Sequence, residues 1–176
     1  MDDVTSAPTA AAHREGRPDS LLSDHRLTEI GLLFEVATAL MDVLSAHISE
    51  HGLSGSELEV LLRLSRSPGG QLRMSDLARQ TGLSASGLTR LVDRLVGRGL
   101  VARLACPTDR RGSFAAVTGD GRALIGDLLP GHLDLIERWF TSAMDPTLAD
   151  SLSDALRAVR ARVRPDADAG AAEGCP

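Results

Sequence analysis

The chain has 176 residues, 43% of them hydrophobic and 2% aromatic, and a formal net charge of −5. This length allows one domain, or a small domain with oligomerisation helices, and a core of Leu, Val, Ala and Ile favours helices packed on helices. There is no apolar run of the roughly 18 residues that span a membrane, no signal peptide and no motif that pairs Cys106 with Cys175, which predicts a cytoplasmic protein without membrane contacts.

The two ends of the chain and the first helices are assigned from composition and periodicity. Residues 1–20 and 165–176 are rich in Ala, Pro and Asp and are predicted to be disordered tails. Over residues 26–49, apolar side chains recur every three or four positions, which predicts a long amphipathic helix that Gly52 ends. A second helix, SELEVLLRLSRS, is expected to be capped by Ser56 and stopped by SPGG.

The next segment, RMSDLARQTGLSASGLTRLVDRLVGRGL, has the pattern of two short helices joined by a turn. Ser75 is the predicted cap of the first helix, which Gly82 ends, and Ser84 is the predicted cap of the second. The second helix is expected to bury one apolar side, formed by Leu88, Leu91, Val92 and Leu95. Two helices joined by a turn of about four residues that contains Gly form a helix-turn-helix.

Two β-like runs follow, LVARLA and SFAAVT, joined by the loop CPTDRRG. Short runs on either side of a Pro- and Gly-containing loop predict a hairpin. A helix-turn-helix followed directly by a hairpin is a winged helix. The predicted fold is therefore mainly α with a small β-hairpin wing, and residues 56–118 are assigned to a winged helix-turn-helix DNA-binding domain.

Helical patterns return after the hairpin. The run RALIGDLLPGHLDLIERWF predicts a helix with a kink at Pro130, and a last helix is predicted over residues 146–164. The apolar stripes of the first and last helices need burial, which dimerisation supplies. Residues 21–55 and 119–164 are therefore predicted to be N- and C-terminal dimerisation helices.

Positive charge is concentrated in the middle of the chain. Between Arg63 and Arg111 there are ten arginines and three aspartates, a net of +7 inside a chain of net −5. A basic centre between acidic ends is typical of a surface that binds a polyanion.

The predicted helix that starts after Ser84 carries the expected DNA contacts. Its polar face presents short side chains that fit base edges and an arginine that can contact guanine O6 and N7 together. The residues assigned to this role are Ser84, Ser86, Thr89, Arg90 and Arg94. Arg73 and Ser75 are further candidates for phosphate contacts.

The hairpin tip carries the second set of expected DNA contacts, Asp109, Arg110 and Arg111. An arginine at a projecting tip can enter a minor groove, where narrow A·T-rich segments concentrate negative potential. Asp109 is expected to accept hydrogen bonds from Arg111 and hold it extended.

The run LRMSDLARQTGLSASGLTRLVDRLVGRGLVARLACPTDRRGSFAAVTGDGRAL resembles the MarR/SlyA-type winged-helix regulators. Their pattern combines TRLVDRL..RGLV.R, a D-x-R wing and an LT..G strand exit. The matching residues are Arg103, Asp109, Arg111, Thr118 and Gly121. Many members carry a larger polar residue at the position of Ala85 and Ser or Thr at that of Gly87, so specificity here is expected to depend more on the wing and on DNA shape.

The resemblance implies a homodimer whose first and last helices interlock. Two recognition helices would then enter successive major grooves of a pseudo-palindromic operator, with half-sites about 34 Å apart. It also implies a repressor that a small-molecule effector releases from double-stranded DNA. An effector pocket is expected where the first, second and fifth helices meet.

Three alternatives use other residues. HISEH matches the H-x-x-E-H motif and places His47 and His51 one helical turn apart, which would suit a metal-dependent hydrolase. With His132, the same pair would suit a zinc-sensing regulator. Cys106 beside the wing arginines would suit redox sensing, although a structural role is favoured. The chain has no G-x-S-x-G, Walker A or G-x-G-x-x-G run, and we expect neither enzymatic activity nor a cofactor.

Overall fold

The computed structural model describes residues 21–105 and 113–168. These residues fall into two compact units, one through Met41 and one from Asp42. The main helices and the strands of the described residues are α1 (His25–Glu50), α2 (Gly55–Arg66), β1 (Gln71–Arg73), α3 (Met74–Thr81), α4 (Ala85–Gly97), β2 (Val101–Ala105), β3 (Ser113–Val117), α5 (Gly119–Trp139) and α6 (Pro146–Val163). No helix in this part of the chain is long and apolar enough to cross a membrane.

The long first helix is confirmed as α1, followed by Gly52 in the left-handed region at φ +68°. In the first unit most of its apolar side chains are exposed, among them Ile30, Leu33 and Phe34. A run of exposed apolar side chains along one helix is unusual for a soluble chain that acts alone.

The cap of α2 is Ser54, and the prediction of Ser56 was wrong. The Ser54 hydroxyl accepts the Glu57 N–H at 3.3 Å, and the Glu57 carboxylate accepts the Ser54 N–H at 2.9 Å. This reciprocal pair is a capping box. Both Ser54 and Ser56 have a glutamate three residues later, so the spacing alone does not select the cap. The helix begins at Gly55, which makes Ser56 its second residue.

The start of α3 also differs from the prediction. Its N-cap is Arg73, whose side chain makes no capping hydrogen bond, and Ser75 is the second residue of the helix. The reason is a third strand, β1, which leads directly into α3 and pairs antiparallel with β3, Arg73 opposite Phe114. Three residues with a single buried side chain, Leu72, give too short a pattern to be read as a strand.

The hairpin is confirmed and belongs to a three-stranded sheet of order β1-β3-β2. Val101 lies opposite Val117 and Ala105 opposite Ser113. The core of the second unit lies between this sheet and the helices. Its fully buried large side chains are Phe114, Leu61, Leu64, Leu72, Leu77, Leu88, Leu95, Leu128, Val60 and Val92.

Contacts at the start of α5 explain why threonine and glycine, Thr118 and Gly121, occur where β3 leads into the helix. The Thr118 hydroxyl accepts the Gly121 N–H at 3.1 Å and donates to the Gly99 carbonyl at 2.7 Å. A Cβ atom on Gly121 would lie 2.3 Å from the Leu100 carbonyl oxygen, so only glycine fits there. The helix then continues as one element through Pro130 to Trp139.

Residues 165–168, predicted to belong to a disordered tail, form a short 3-10 turn, Pro165–Asp168. Ala167 in this turn is only 2% exposed. The composition of the tail suggested disorder, but the turn follows α6 directly, packs against α3 and has polar partners on α2 and α6.

We expect Gly121→Ala to lower the free energy of unfolding by about 1–3 kcal/mol, because the added Cβ displaces the Leu100 backbone. Gly126→Ala is the matched control: it lies in the same helix, and a Cβ atom added there would have no neighbouring atom within 4 Å. Alanine should be neutral or stabilising there by up to about 1 kcal/mol. Urea unfolding of both variants at one protein concentration measures the difference, and equal effects would contradict the close-approach explanation.

Candidate nucleic-acid interface

Helix α4 has one buried and one exposed side. Leu88, Leu91, Val92 and Leu95 are buried, as predicted. The opposite side carries the five predicted reading residues, all of them exposed: Ser84, Ser86, Thr89, Arg90 and Arg94. Because α3 packs against α4 and Gly82 ends α3 at φ +70°, the helix pair and turn of a helix-turn-helix are in place.

The start of α4 is capped as predicted. The Ser84 hydroxyl accepts the Gly87 N–H at 3.1 Å. A Cβ atom on Gly87 would lie 3.0 Å from that hydroxyl oxygen, so glycine leaves the cap unobstructed. Ser84, Ala85 and Ser86 are exposed, and the positive end of the helix dipole is therefore accessible to an anion.

The two arginines of the reading face differ in their surroundings. Among the residues that the structure describes, no carboxylate pairs with Arg90. The Arg94 Nε lies 3.5 Å from a carboxylate oxygen of Glu57, and Arg98 lies 3.8 Å from the other. Arg94 is thus turned towards α2, whereas Arg90 is available to an external partner.

Glu57 is the anchor for both Arg94 and Arg98. Burial by itself raises the pKa of the Glu57 carboxyl, but hydrogen bonds from Ser54 and Arg94 and the charge of Arg98 hold the pKa below its usual value. The carboxylate is therefore ionised at neutral pH and keeps the end of α4 close to the start of α2.

An ion pair joins the hairpin to the reading helix. Arg103 on β2 donates from Nε at 3.0 Å and from Nη2 at 2.8 Å to one carboxylate oxygen of Asp93 on α4. Its Nη1 lies 3.5 Å from the Ser113 hydroxyl on β3. The sequence offered no signal for this pair, since ten residues separate a helix position from a strand position. The pair fixes the base of the hairpin against α4.

The wing tip itself lies outside the described residues. This applies to Asp109, Arg110 and Arg111, the predicted wing contacts, and to Cys106, the candidate redox residue. The described strands end at Ala105 and resume at Ser113.

The two further candidates for phosphate contacts lie at the start of α3. The Arg73 guanidinium lies 5.1 Å above the centre of the Phe114 ring, a cation–π arrangement. Ser75 is exposed in the first turn of the helix.

The three histidines considered as metal ligands lie close together, and two of them have one ring nitrogen in a hydrogen bond to a backbone carbonyl. His47 Nε2 donates to the Leu128 carbonyl at 3.1 Å, and His51 Nδ1 donates to the His47 carbonyl at 3.0 Å. The ring of His132 lies 6.1 Å from that of His47. Within the described ranges, no three His, Cys, Asp or Glu side chains are placed to hold a metal ion.

A groove of about 470 Å³ lies between the end of α1 and the second half of α5. It is lined by Val43, Ala46, His47, Glu50, Gly131, Asp134, Leu135 and Arg138. The predicted effector pocket included α2, but the lining comes from the first and fifth helices alone. The groove carries both signs of charge.

Helices α3 and α4, followed directly along the chain by the hairpin, define a winged helix-turn-helix protein. The MarR family model matches residues 51–112. The crystal structure of AbsC, a MarR family transcriptional regulator from Streptomyces coelicolor, has a TM-score of 0.76 and 31% sequence identity to this chain, covering 81% of this chain and 97% of AbsC. The chain therefore belongs to the MarR family.

Two other similar proteins bear on function. Sco3205, a MarR family transcriptional regulator from Streptomyces coelicolor solved in complex with DNA, has a TM-score of 0.73 and 31% identity, covering 80% of this chain and 88% of Sco3205. The HTH-type transcriptional regulator MhqR of Bacillus subtilis (strain 168) is 34% identical over 94 residues, 53% of this chain and 63% of MhqR. The match thus spans less than two thirds of MhqR.

We expect stability to fall as the pH drops below about 6.5, the usual histidine pKa, in part through His132. Burial lowers the pKa of His132, and the charge of His47 lowers it further. The fold therefore favours neutral His132, and its contribution to stability is present above the unfolded pKa and is lost on acidification, by at most about 1.4 kcal/mol per pH unit.

His132→Gln should flatten the fall in the free energy of unfolding between about pH 7.5 and about pH 5.5. His25→Gln is the matched control, because the His25 side chain is 79% exposed. Urea unfolding at a series of pH values measures both. An unchanged pH dependence in His132→Gln would show that this histidine does not resist protonation in the fold.

Proposed function

We propose that this protein is a dimeric, sequence-specific DNA-binding transcriptional regulator that acts in the cytoplasm as a repressor released by a small-molecule effector, and that it is not an enzyme. The observation that carries the proposal is the exposed polar side of α4, opposite four buried aliphatic residues and next to a hairpin. The solved complex of the similar protein Sco3205 with DNA supports this use of the fold.

In this proposal α4 enters the major groove. Ser84, Ser86 and Thr89 are short and exposed, and their hydroxyls reach base edges or phosphates. Arg90 makes the paired contact to guanine O6 and N7, because no described carboxylate competes for it. Arg94, held near Glu57 at 3.5 Å, contributes positive charge and contacts phosphate.

The wing is proposed to read the adjacent minor groove. Arg111 enters the groove, Asp109 orients it, and Arg110 adds a phosphate contact. The Asp93–Arg103 pair supports this role, because it fixes the strands that carry the tip against α4. Arg73 and Ser75 add phosphate contacts from the start of α3.

Dimerisation is proposed because both ends of the described chain expose apolar side chains. In the first unit these include Leu27, Ile30 and Phe34, and on α6 they include Leu148 and Val159. A second copy that covers these faces would remove them from water and place two reading helices on one side of a duplex.

The effector is proposed to be a small organic molecule. No observation favours the zinc-sensing or hydrolase alternatives, since no three His, Cys, Asp or Glu side chains of the described residues are placed to hold a metal ion. If the protein binds duplex DNA in the presence of a chelator and hydrolyses no peptides, both the zinc-sensing and the hydrolase alternatives lose support.

Arg90→Ala should weaken binding to an operator fragment by about 1–3 kcal/mol and relax specificity at one base pair. The operator is first selected from genomic fragments that bind the purified protein, and affinity is measured by fluorescence anisotropy at one salt concentration. Arg157→Ala is the matched control, because Arg157 pairs with Asp154 on α6 at 3.0 Å, away from the reading face. Equal affinity of the Arg90 variant and wild type would show that Arg90 makes no base contact.

Arg111→Ala should also weaken operator binding by about 1–3 kcal/mol, and the loss should be larger for operators with an A·T-rich flank than for G·C-rich ones. Arg110→Ala, one residue away, should weaken both operators to a similar extent, since a phosphate contact carries no sequence preference. Competition with the two flanks in gel shifts measures the preference. A preference that survives Arg111→Ala would show that the wing does not read the minor groove.

A further inference from the structure

The turn after the last helix contacts the helix-turn-helix of the same chain. Pro165–Asp168 packs against α3, and Ala167 in its centre is 2% exposed. This burial is unusual for a position just beyond an exposed helix end, where Val163 is 70% exposed. The turn is therefore held in place by contacts of its own.

Arg164, the residue that follows α6, makes one contact with the end of α3. Its Nη2 donates to the Gln80 carbonyl at 2.7 Å. Carbonyls in the last turn of a helix have no partner within the helix, and a cation there also meets the negative end of the helix dipole. Gly82 leaves room for the guanidinium, because a Cβ atom at that position would lie 3.0 Å from the Arg164 Nη2.

Two more contacts hold the other side of the turn. Arg63 on α2 donates from Nη1 to the Ala167 carbonyl at 2.8 Å. Arg160 on α6 donates to a carboxylate oxygen of Asp168 at 2.6 Å. The turn is thus joined to α2, α3 and α6, and none of these partners belongs to the exposed side of α4.

These contacts matter for DNA binding because α3 packs directly against α4, and along the chain only the turn at Gly82 lies between the two helices. Any freedom of α3 changes the angle at which α4 presents its polar side. We propose that Arg164 and the turn Pro165–Asp168 position the reading helix by holding the end of α3 on the C-terminal helix of the same chain. This inference rests on the proposed DNA-binding function.

Full-length variants test the proposal with two measurements. Arg164→Ala removes the bond to Gln80, and Ala167→Glu places a charge in the buried contact. The matched controls are Arg162→Ala and Ala161→Glu, both at exposed positions of α6. Hydrogen–deuterium exchange of the α3 amides is measured on free protein, and operator affinity is measured by anisotropy.

Both test variants should speed exchange of the α3 amides by roughly tenfold, Arg164→Ala because a hydrogen bond from a charged donor is lost and Ala167→Glu because a charge is placed in the buried contact. They should weaken operator binding about threefold or more, while both controls stay at wild-type values. Arg164→Lys should restore much of the affinity, because an ammonium can still donate to the Gln80 carbonyl.

Other outcomes would overturn the proposal. If exchange in α3 does not change, the turn does not hold that helix. If exchange rises while affinity stays at the wild-type value, the turn stabilises α3 without positioning α4. If wild-type protein binds no genomic fragment, the proposed DNA-binding function fails and this proposal fails with it, which is distinguishable from the first two results.

Discussion

The burial of one side of α4 is the constraint on which the rest of the structure depends. Leu88, Val92 and Leu95 are almost completely removed from water, and truncating such side chains typically costs about 2–5 kcal/mol each. The helix therefore cannot roll about its axis without losing more stability than a small domain has to spare. Because the apolar side of α4 is fixed inward, the polar side with Arg90 is fixed outward. The orientation of this polar side relative to the hairpin is thereby fixed as well.

The residues that mark the family are largely residues that shape the fold. Thr118 caps α5 and bonds to Gly99, and Gly121 is required by the approach of the Leu100 carbonyl. Arg103 uses its guanidinium on α4 and is less available to DNA than its position suggests. The matching residues Arg103, Thr118 and Gly121 thus report mainly on how β2 and α5 are attached.

The basic middle of the chain carries less free charge than its composition implies. Several of its arginines already have acidic partners: Arg63 pairs with Glu59, Arg79 with Asp76, Arg94 and Arg98 with Glu57, and Arg103 with Asp93. The first two pairs lie within a single helix, whereas the other three join α4 to α2 or to β2 and fix the angles between these elements. The arginine side chains of these pairs are partly exposed, and ion pairs near the surface add little stability each, so their main consequence is geometric. The proposed DNA contacts are concentrated at the start of α4 and at the hairpin tip.

The sequence by itself determined the order of the helices, the apolar side of α4, the cap at Ser84 and the hairpin, because these follow from local periodicity and turn chemistry. The family resemblance indicated the class of protein, which the comparisons confirm. Only the tertiary structure decided that β1 joins the sheet, that Asp93 holds the hairpin, and that residues 165–168 pack on α3. Each of these depends on a partner far along the chain, and no local pattern encodes which distant groups will meet.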